Sequence, residues 1–277
     1  MVRIAVCAPS APITREDADR VLALAAVEFP KMELRIHPQC FQIEGHFAGS
    51  DDARLAALVE CANDPGIDAV WFARGGYGAC RIAEAALARF DHSAQGKTFI
   101  GYSDAGYLLG GLYRERVGRP VHAPMLVDIR RTGGEDAIRR ALAYLDGDQS
   151  GVEPSLAVER RPVAAFNLMT LAMLCGTRLM PGLAGHVVMV EEVSEHLYAI
   201  DRLFFHIVAH LGGIAGLKLG RISEVPDNDR PFGTTAQEIA RYWCDRHAIP
   251  FLGEADIGHD SANRIVPFGL AQARQGQ

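Results

Sequence analysis

The chain has 277 residues, 49% of them hydrophobic and 22% charged, with a formal net charge of -6. That length suits one large domain or two modest ones. The acidic balance and the absence of a Lys/Arg run exclude a general nucleic-acid binder, whose affinity draws on clustered cations. The first apolar stretch stops at Pro9, too short for a signal-peptide core, and nothing approaches the ~20 apolar residues of a membrane span. Six cysteines, Cys7, Cys40, Cys61, Cys80, Cys175 and Cys244, stand without paired spacing. That usage fits neither a zinc ribbon nor a disulfide framework, so reduced thiols in a cytoplasmic protein are expected.

In chain order, Val2–Ala8 is a short apolar run that predicts a strand. Thr14, with Asp17 three residues on, has the form of a helix start, and a helix follows over Ala18–Phe29. Met32–His37 alternates as a strand, and Ser50-Asp51-Asp52 caps a helix through Cys61. Asp68–Ala73 is a buried strand, Ala79–Phe90 a helix, Thr98–Tyr102 a strand, and about Asp104 to Arg116 a helix. Repeated β–α units of this kind imply a parallel sheet with helices on both faces. From Leu145 to Arg161 the pattern weakens, and residues 148–165 are the expected linker between domains 1–147 and 166–277. Beyond it, Leu168–Cys175 reads as a helix, His186–Val190 as a strand, Tyr198–Leu211 as a helix and Leu217–Ile222 as a strand. Thr234–His247 then reads as a helix and Pro250–Leu252 as a short strand.

Ligands of parallel sheets bind beyond the carboxyl ends of the strands. Gly101-Tyr102-Ser103-Asp104-Ala105 stands at such an end, where a serine projects its hydroxyl and small neighbours relieve a tight turn. Those are the mechanics of a nucleophile elbow, although the pentapeptide alone is better explained by Ser103 or Asp104 capping the next helix. Arg74-Gly75-Gly76-Tyr77-Gly78 follows the preceding strand. It lacks the ending of a P-loop and the spacing of a dinucleotide fingerprint, which leaves an oxyanion-binding amide or a plain turn. Glu191 and Glu192 end an apolar strand, where a carboxylate can orient an imidazole or simply meet solvent. His259, in a polar loop after Gly258, is the best base among ten histidines. His206 and His210 have metal-ligand spacing but no accompanying glutamate, so a metal site there is disfavoured. His122 either lines a pocket or packs a loop.

Taken together, these segments resemble the L,D-carboxypeptidases, the muramoyltetrapeptide carboxypeptidase family of serine peptidases that includes microcin-type self-immunity hydrolases. The likeness runs through Ala8-Pro9-Ser10, His46-Phe47-Ala48-Gly49-Ser50-Asp51, Arg74-Gly75-Gly76-Tyr77-Gly78, Gly101-Tyr102-Ser103-Asp104, Val190-Glu191-Glu192 and Gly258-His259. The resemblance implies a flavodoxin-like or amidotransferase-like parallel-sheet α/β domain followed by a smaller, swivelling-type α/β domain. It places the nucleophile on Ser103, the carboxylate on Glu191 and the base on His259. The Asp104 amide and an amide of Gly75 or Gly76 would bind the oxyanion, and Arg74 is the first candidate for the substrate carboxylate. No metal or cofactor is implied. The expected partners are a muropeptide and a second copy of the chain, with no nucleic acid and no membrane. The competing readings are a relative cleaving an aminoacyl-nucleotide or antibiotic conjugate, and a non-enzymatic binding protein on the same scaffold. Ala165-Phe166-Asn167 stands where the family usually has Gly-Gly-Asn, and Phe166 is expected to narrow or reshape the groove.

Overall fold

The computed structural model describes residues 1–270. Its first part alternates β1 (Val2–Cys7), α1 (Arg15–Glu28), β2 (Met32–Ile36), α2 (Asp51–Asn63), β3 (Ala69–Phe72), α3 (Ala79–Leu87), β4 (Thr98–Gly101), α4 (Gly106–Glu115), β5 (Arg119–His122) and α5 (Gly134–Leu145). The strands pair in parallel in the order β2-β1-β3-β4-β5, a doubly wound sheet of flavodoxin-like order. Strand alternation sorts the side chains between the two faces. Ile4, Val6, Trp71 and Ile100 meet Val21 and Leu24 of α1 and Ile138 and Leu142 of α5. Ala5, Cys7, Val70, Phe72 and Phe99 meet Leu58 of α2, Ile82 of α3 and Leu108 of α4. Thr14 and Asp17 form the anticipated capping box, and Ser50 caps α2.

The second part runs β6 (Val163–Asn167), α6 (Leu168–Leu174), β7 (Val187–Val193), α7 (Leu197–His210), β8 (Gly216–Ser223), α8 (Ala236–Arg246) and β9 (Phe251–Glu254). Its four strands are parallel and pair in chain order. Val188, Val190, Leu217 and Leu219 from this sheet belong to the same apolar core as the α2–α4 face of the first sheet. The two sheets therefore share a core.

Several features depart from the expected plan. Between Arg116 and Leu145, a stretch assigned no element from sequence, lie β5 and α5. Arg119-Pro120-Val121-His122 is four residues long and contains Pro120, which argues against a strand when read alone. The expected linker holds a 3₁₀ turn at Pro154–Ala157 and, from Val163, the start of β6. A last strand, β10 (Val266–Pro267), leaves the second part and pairs antiparallel with β5, covering what would otherwise be an open sheet edge. Its two residues carry no periodicity to read. Everything beyond Leu270 lies outside the described residues. All six cysteines are free, with Cys7, Cys40, Cys61 and Cys244 buried and Cys80 and Cys175 intermediate. No helix among the described residues is long and apolar enough to cross a membrane.

Candidate active site

β4 ends at Gly101, and the chain turns so sharply that Ser103 takes φ of 58°. A non-glycine residue in this region is uncommon and holds strain that its surroundings must impose. The imposing contacts are visible. Gly75 passes so close that a Cβ there would stand 3.0 Å from both Cβ and Oγ of Ser103. The Ser103 carbonyl accepts a hydrogen bond from Thr170 Oγ1 of α6 at 3.2 Å. Neither Ser103 nor Asp104 caps α4, whose N-cap, Ala105, makes no side-chain bond. Asp104 is instead buried, accepting from Ser10 Oγ and, at 2.9 Å, from the Ala79 amide at the start of α3. The N-cap of α3 is Gly78, which has no side chain to offer, so Asp104 supplies the missing acceptor from across the sheet edge. Burial pushes the Asp104 carboxyl above its ordinary pKa, against the pull of the Ser10 and Ala79 bonds and of Arg54.

The adjacent carboxylates of β7 point to opposite faces, as strand neighbours must. Glu191 is fully buried, and its Oε2 lies 2.5 Å from Nδ1 of His259. A carboxylate only accepts, so Nδ1 carries the proton and Nε2 is left as the basic nitrogen. Glu192 turns the other way and takes hydrogen bonds from Asn167 Nδ2 at 2.7 Å and the Met169 amide at 2.8 Å, tying down the start of α6. Burial draws the His259 pKa down, but the Glu191 charge and hydrogen bond, with Glu192 and Asp128 behind them, outweigh it and hold His259 above the usual imidazole value. The His259 ring packs at 4.7 Å on the ring of Tyr102, the residue before Ser103. Tyr102 is fixed in turn by its hydroxyl, which donates to Asp128 Oδ1 at 2.9 Å. His259, bonded to Glu191, thus packs on the residue that precedes Ser103.

His122 is fully buried behind this group, with Nε2 3.1 Å from Asn263 Oδ1. The Gly258 amide donates to the same oxygen at 3.1 Å, which fixes the amide orientation and makes His122 Nε2 a donor. Burial lowers the His122 pKa to about 4, so it is neutral and packs the site from beneath, the loop-packing alternative of the two considered. Arg74 is half-buried and donates to the Pro12 carbonyl at 2.8 Å. Burial lowers its pKa and the neighbouring Arg130 adds to that, while Asp17 opposes it. Gly76 follows Gly75 with φ of 102° and borders the imidazole of His46. Phe166 corrects one expectation: it is 1% exposed and packs on Phe268 at 5.1 Å, so it fills the core between the sheets rather than a groove. His206 and His210 sit side by side on α7, and among the described residues no group of three or more His, Cys, Asp or Glu could hold a metal ion. Sequence reasoning missed Tyr102 as the platform for His259, Asn263 beneath the site and Arg221 beside it. The glycine before Arg221, inside the strand pattern Leu217–Ile222, is the signal that marks an irregular strand there.

Residues 4–123 match the family model described as LD-carboxypeptidase N-terminal domain, and residues 162–273 match LD-carboxypeptidase C-terminal domain. Fold and family together define a serine-type carboxypeptidase, a hydrolase. The chain belongs to the LD-carboxypeptidase family. It is 26% identical to the murein tetrapeptide carboxypeptidase of Pseudomonas aeruginosa, over 99% of this chain and 93% of that one. It is 27% identical to the probable murein peptide carboxypeptidase of Bacillus subtilis, over 98% and 88%. Among solved structures, the muramoyltetrapeptide carboxypeptidase from Oxalobacter formigenes has the same fold, with TM-score 0.79 at 22% identity over 97% of this chain and 93% of that one. MccF in complex with glutamyl sulfamoyl guanosine shares it too, with TM-score 0.75 at 19% identity over 97% and 91%.

Proposed function

We propose that this protein is a serine L,D-carboxypeptidase that releases terminal D-Ala from murein tetrapeptides in cytoplasmic cell-wall recycling. The observation that supports the reading is a histidine whose Nδ1 is tied to a buried carboxylate and whose ring packs on Tyr102, the neighbour of the strained Ser103. In this scheme Nε2 of His259 takes the Ser103 proton as Oγ attacks the peptide carbonyl, and Glu191 stabilises the imidazolium that forms. The amides of Asp104 and of Gly75 or Gly76 receive the oxyanion. The imidazolium then gives its proton to the departing D-Ala amine, leaving an acyl-enzyme. Water, deprotonated by the same nitrogen, releases the shortened peptide and restores Ser103. No step calls for a metal or a cofactor.

A carboxypeptidase must also hold its substrate's terminal carboxylate. Arg74 is our assignment for that role: its neighbour Arg130 is already engaged by Asp17, so the Arg74 charge is the one in excess. The working unit is proposed to be a homodimer, the commonest symmetric assembly. Support for the tetrapeptide comes from the names of the Pseudomonas and Bacillus relatives, whereas the MccF likeness bears on the fold alone.

The test is Ser103→Ala assayed on L-Ala-γ-D-Glu-meso-diaminopimelate-D-Ala. A loss of about 10³-fold or more in kcat/KM is expected, as for removal of a triad member. Activity kept within a few-fold removes Ser103 from the role of nucleophile. A wild-type enzyme that spares the tetrapeptide but cleaves an aminoacyl sulfamoyl nucleoside moves the substrate to the self-immunity class and leaves the chemistry standing.

A further inference from the structure

His259 lies on no strand or helix, in the turn between β9 and β10, yet its ring must stay within hydrogen-bond reach of Glu191. What holds the loop is concentrated in one dipeptide of β8. The pairing of β7 with β8 slips there: Val190 faces Leu219, but Glu192 faces Ile222, so β8 carries one extra residue opposite Glu191. A bulge of this kind re-aims the side chains beside it. Gly220 sits in the bulge, and a Cβ there would meet Glu191 Cβ at 3.0 Å and Ile257 O at 2.8 Å. Arg221 follows. Its amide donates to the Ile257 carbonyl at 2.8 Å, and its guanidinium reaches over the histidine loop.

The guanidinium brackets His259. Nε and Nη2 donate to the two oxygens of Asp260 at 2.5 and 2.9 Å, and Nη1 donates to Asp256 Oδ1 at 2.5 Å. Asp256 also takes a hydrogen bond from Arg264 at 3.1 Å. The fit leaves no slack, for a Cβ on Gly258 would stand 2.9 Å from Arg221 Nε. On the far side of the loop, Arg140 of α5 donates to the carbonyls of Ser261 and Asn263. A planar guanidinium can bridge two carboxylates in this way, whereas an ammonium is a point charge without that fork.

We propose that Arg221 is a positioning residue for the base: by bridging Asp256 and Asp260 from the β8 bulge, it sets His259 against Glu191 and over Tyr102. The inference rests on the assignment of His259 and Glu191 as the catalytic pair. It goes beyond that assignment in naming the residue that makes the pair from a loop.

The experiment uses Arg221→Ala and Gly258→Ala in the full chain, with His259→Ala alongside. Three readouts are taken below the melting temperature: kcat and KM on the tetrapeptide, the downfield imidazole N–H resonance of His259, and the folded fraction. The expected result is a fall in kcat of about 10²-fold with KM changed only a few-fold, the scale of an ångström-sized misplacement. The resonance should shift or vanish, and millimolar guanidinium should restore part of the rate of Arg221→Ala. Gly258→Ala keeps every charge and should reproduce the kcat effect, so it decides the matter where Arg221→Ala does not fold. The proposal is overturned if both variants keep kcat and the resonance, or if the rate falls only as the folded fraction falls and guanidinium restores nothing. If His259→Ala turns over normally, the base assignment has failed, and the resonance in the substrate-free protein still decides whether Arg221 sets the His259–Glu191 contact.

Discussion

The two halves of the candidate site are built by different means. The nucleophile half is local: one strand end, one turn and the neighbouring Gly75 loop put Ser103 in place, and the strain sits in a single backbone angle. The base half is assembled across 68 residues of sequence, from a strand end and a loop that other elements must hold. The first rests mainly on backbone geometry, with one side-chain bond, from Thr170 Oγ1 of α6 to the Ser103 carbonyl, reaching it from outside. The second depends on long side chains, the Arg221 ion pairs on one flank and the Arg140 bonds to loop carbonyls on the other, and on the short strand β10. A nucleophile set mainly by its turn and a base that needs its supports should fail in different ways when mutated.

The most severe break in the base half is Glu191→Gln. It leaves the shape but removes the acceptor-only partner that fixes the His259 tautomer, and kcat should fall about 10³–10⁴-fold. The pH profile gives the same contrast with a sign. His259 must be unprotonated to act, and its pKa lies above the ordinary 6.5, so kcat/KM should fall as pH drops through a value higher than that. In Glu191→Gln the burial that pulls the pKa down is no longer offset, and the acid limb should move to lower pH. Because the folded-state pKa is raised, the stability contributed by the His259–Glu191 pair is full below pH 6.5 and is lost as pH rises through the folded value. Thermal melts of wild type and Glu191→Gln across that window check it. An acid limb that stays in place removes Glu191 as its cause.

The nucleophile half is probed by Gly75→Ala. The added Cβ would stand 3.0 Å from Ser103 Oγ and 3.3 Å from the Met125 methyl, so it crowds the hydroxyl and displaces the neighbouring amide while touching the core at one side-chain end. We expect kcat to drop about 10–10²-fold, near the effect of losing an oxyanion donor. The melting temperature should fall only modestly, since the Met125 methyl is the flexible end of a side chain. Unchanged kcat would place the Gly75 loop outside the reaction.

The same division explains what could be read from the sequence. The glycine turn and the helix caps at Thr14 and Ser50 are legible because each is a property of a few adjacent residues, whereas the pentapeptide around Ser103 reads alone as a cap and gains its elbow reading from the family resemblance. His259 reads as poor core material because its loop lacks apolar periodicity; in the structure it is buried all the same, through its bond to Glu191 rather than through a periodic apolar face. The choice between Glu191 and Glu192 was not legible from the residues themselves, since both end the same apolar run. Only the opposite facing of strand neighbours, set against a partner loop far along the chain, separates them. β10 and its pairing with β5 were hidden for a related reason: two residues cannot show a period, and Pro120 masks the strand they join. Phe166 was misjudged because an aromatic residue near a domain junction reads equally as groove lining or as core. The shared core between the sheets decides for core.

The smallest effect is the most discriminating test of that facing. Glu192→Gln alters a carboxylate one residue from Glu191, yet the structure gives it a different task. Its oxygens take the Asn167 side chain and the amides of Met169 and Val193, and it stands on the face away from His259. Replacing it leaves one acceptor and turns an amide N–H toward a backbone donor at the start of α6. Relief of a buried charge partly offsets that loss, since burial already raises the Glu192 pKa. The net cost should be about 1 kcal/mol, the scale of losing a helix cap. Denaturant melts should show this loss while kcat stays within about two-fold, because the Glu192 carboxylate is bonded to Asn167, Met169 and Val193 rather than to His259. If Glu192→Gln instead abolished turnover and Glu191→Gln did not, the strand facing would be reversed in the working enzyme, and the base half would have to be rebuilt around the other carboxylate.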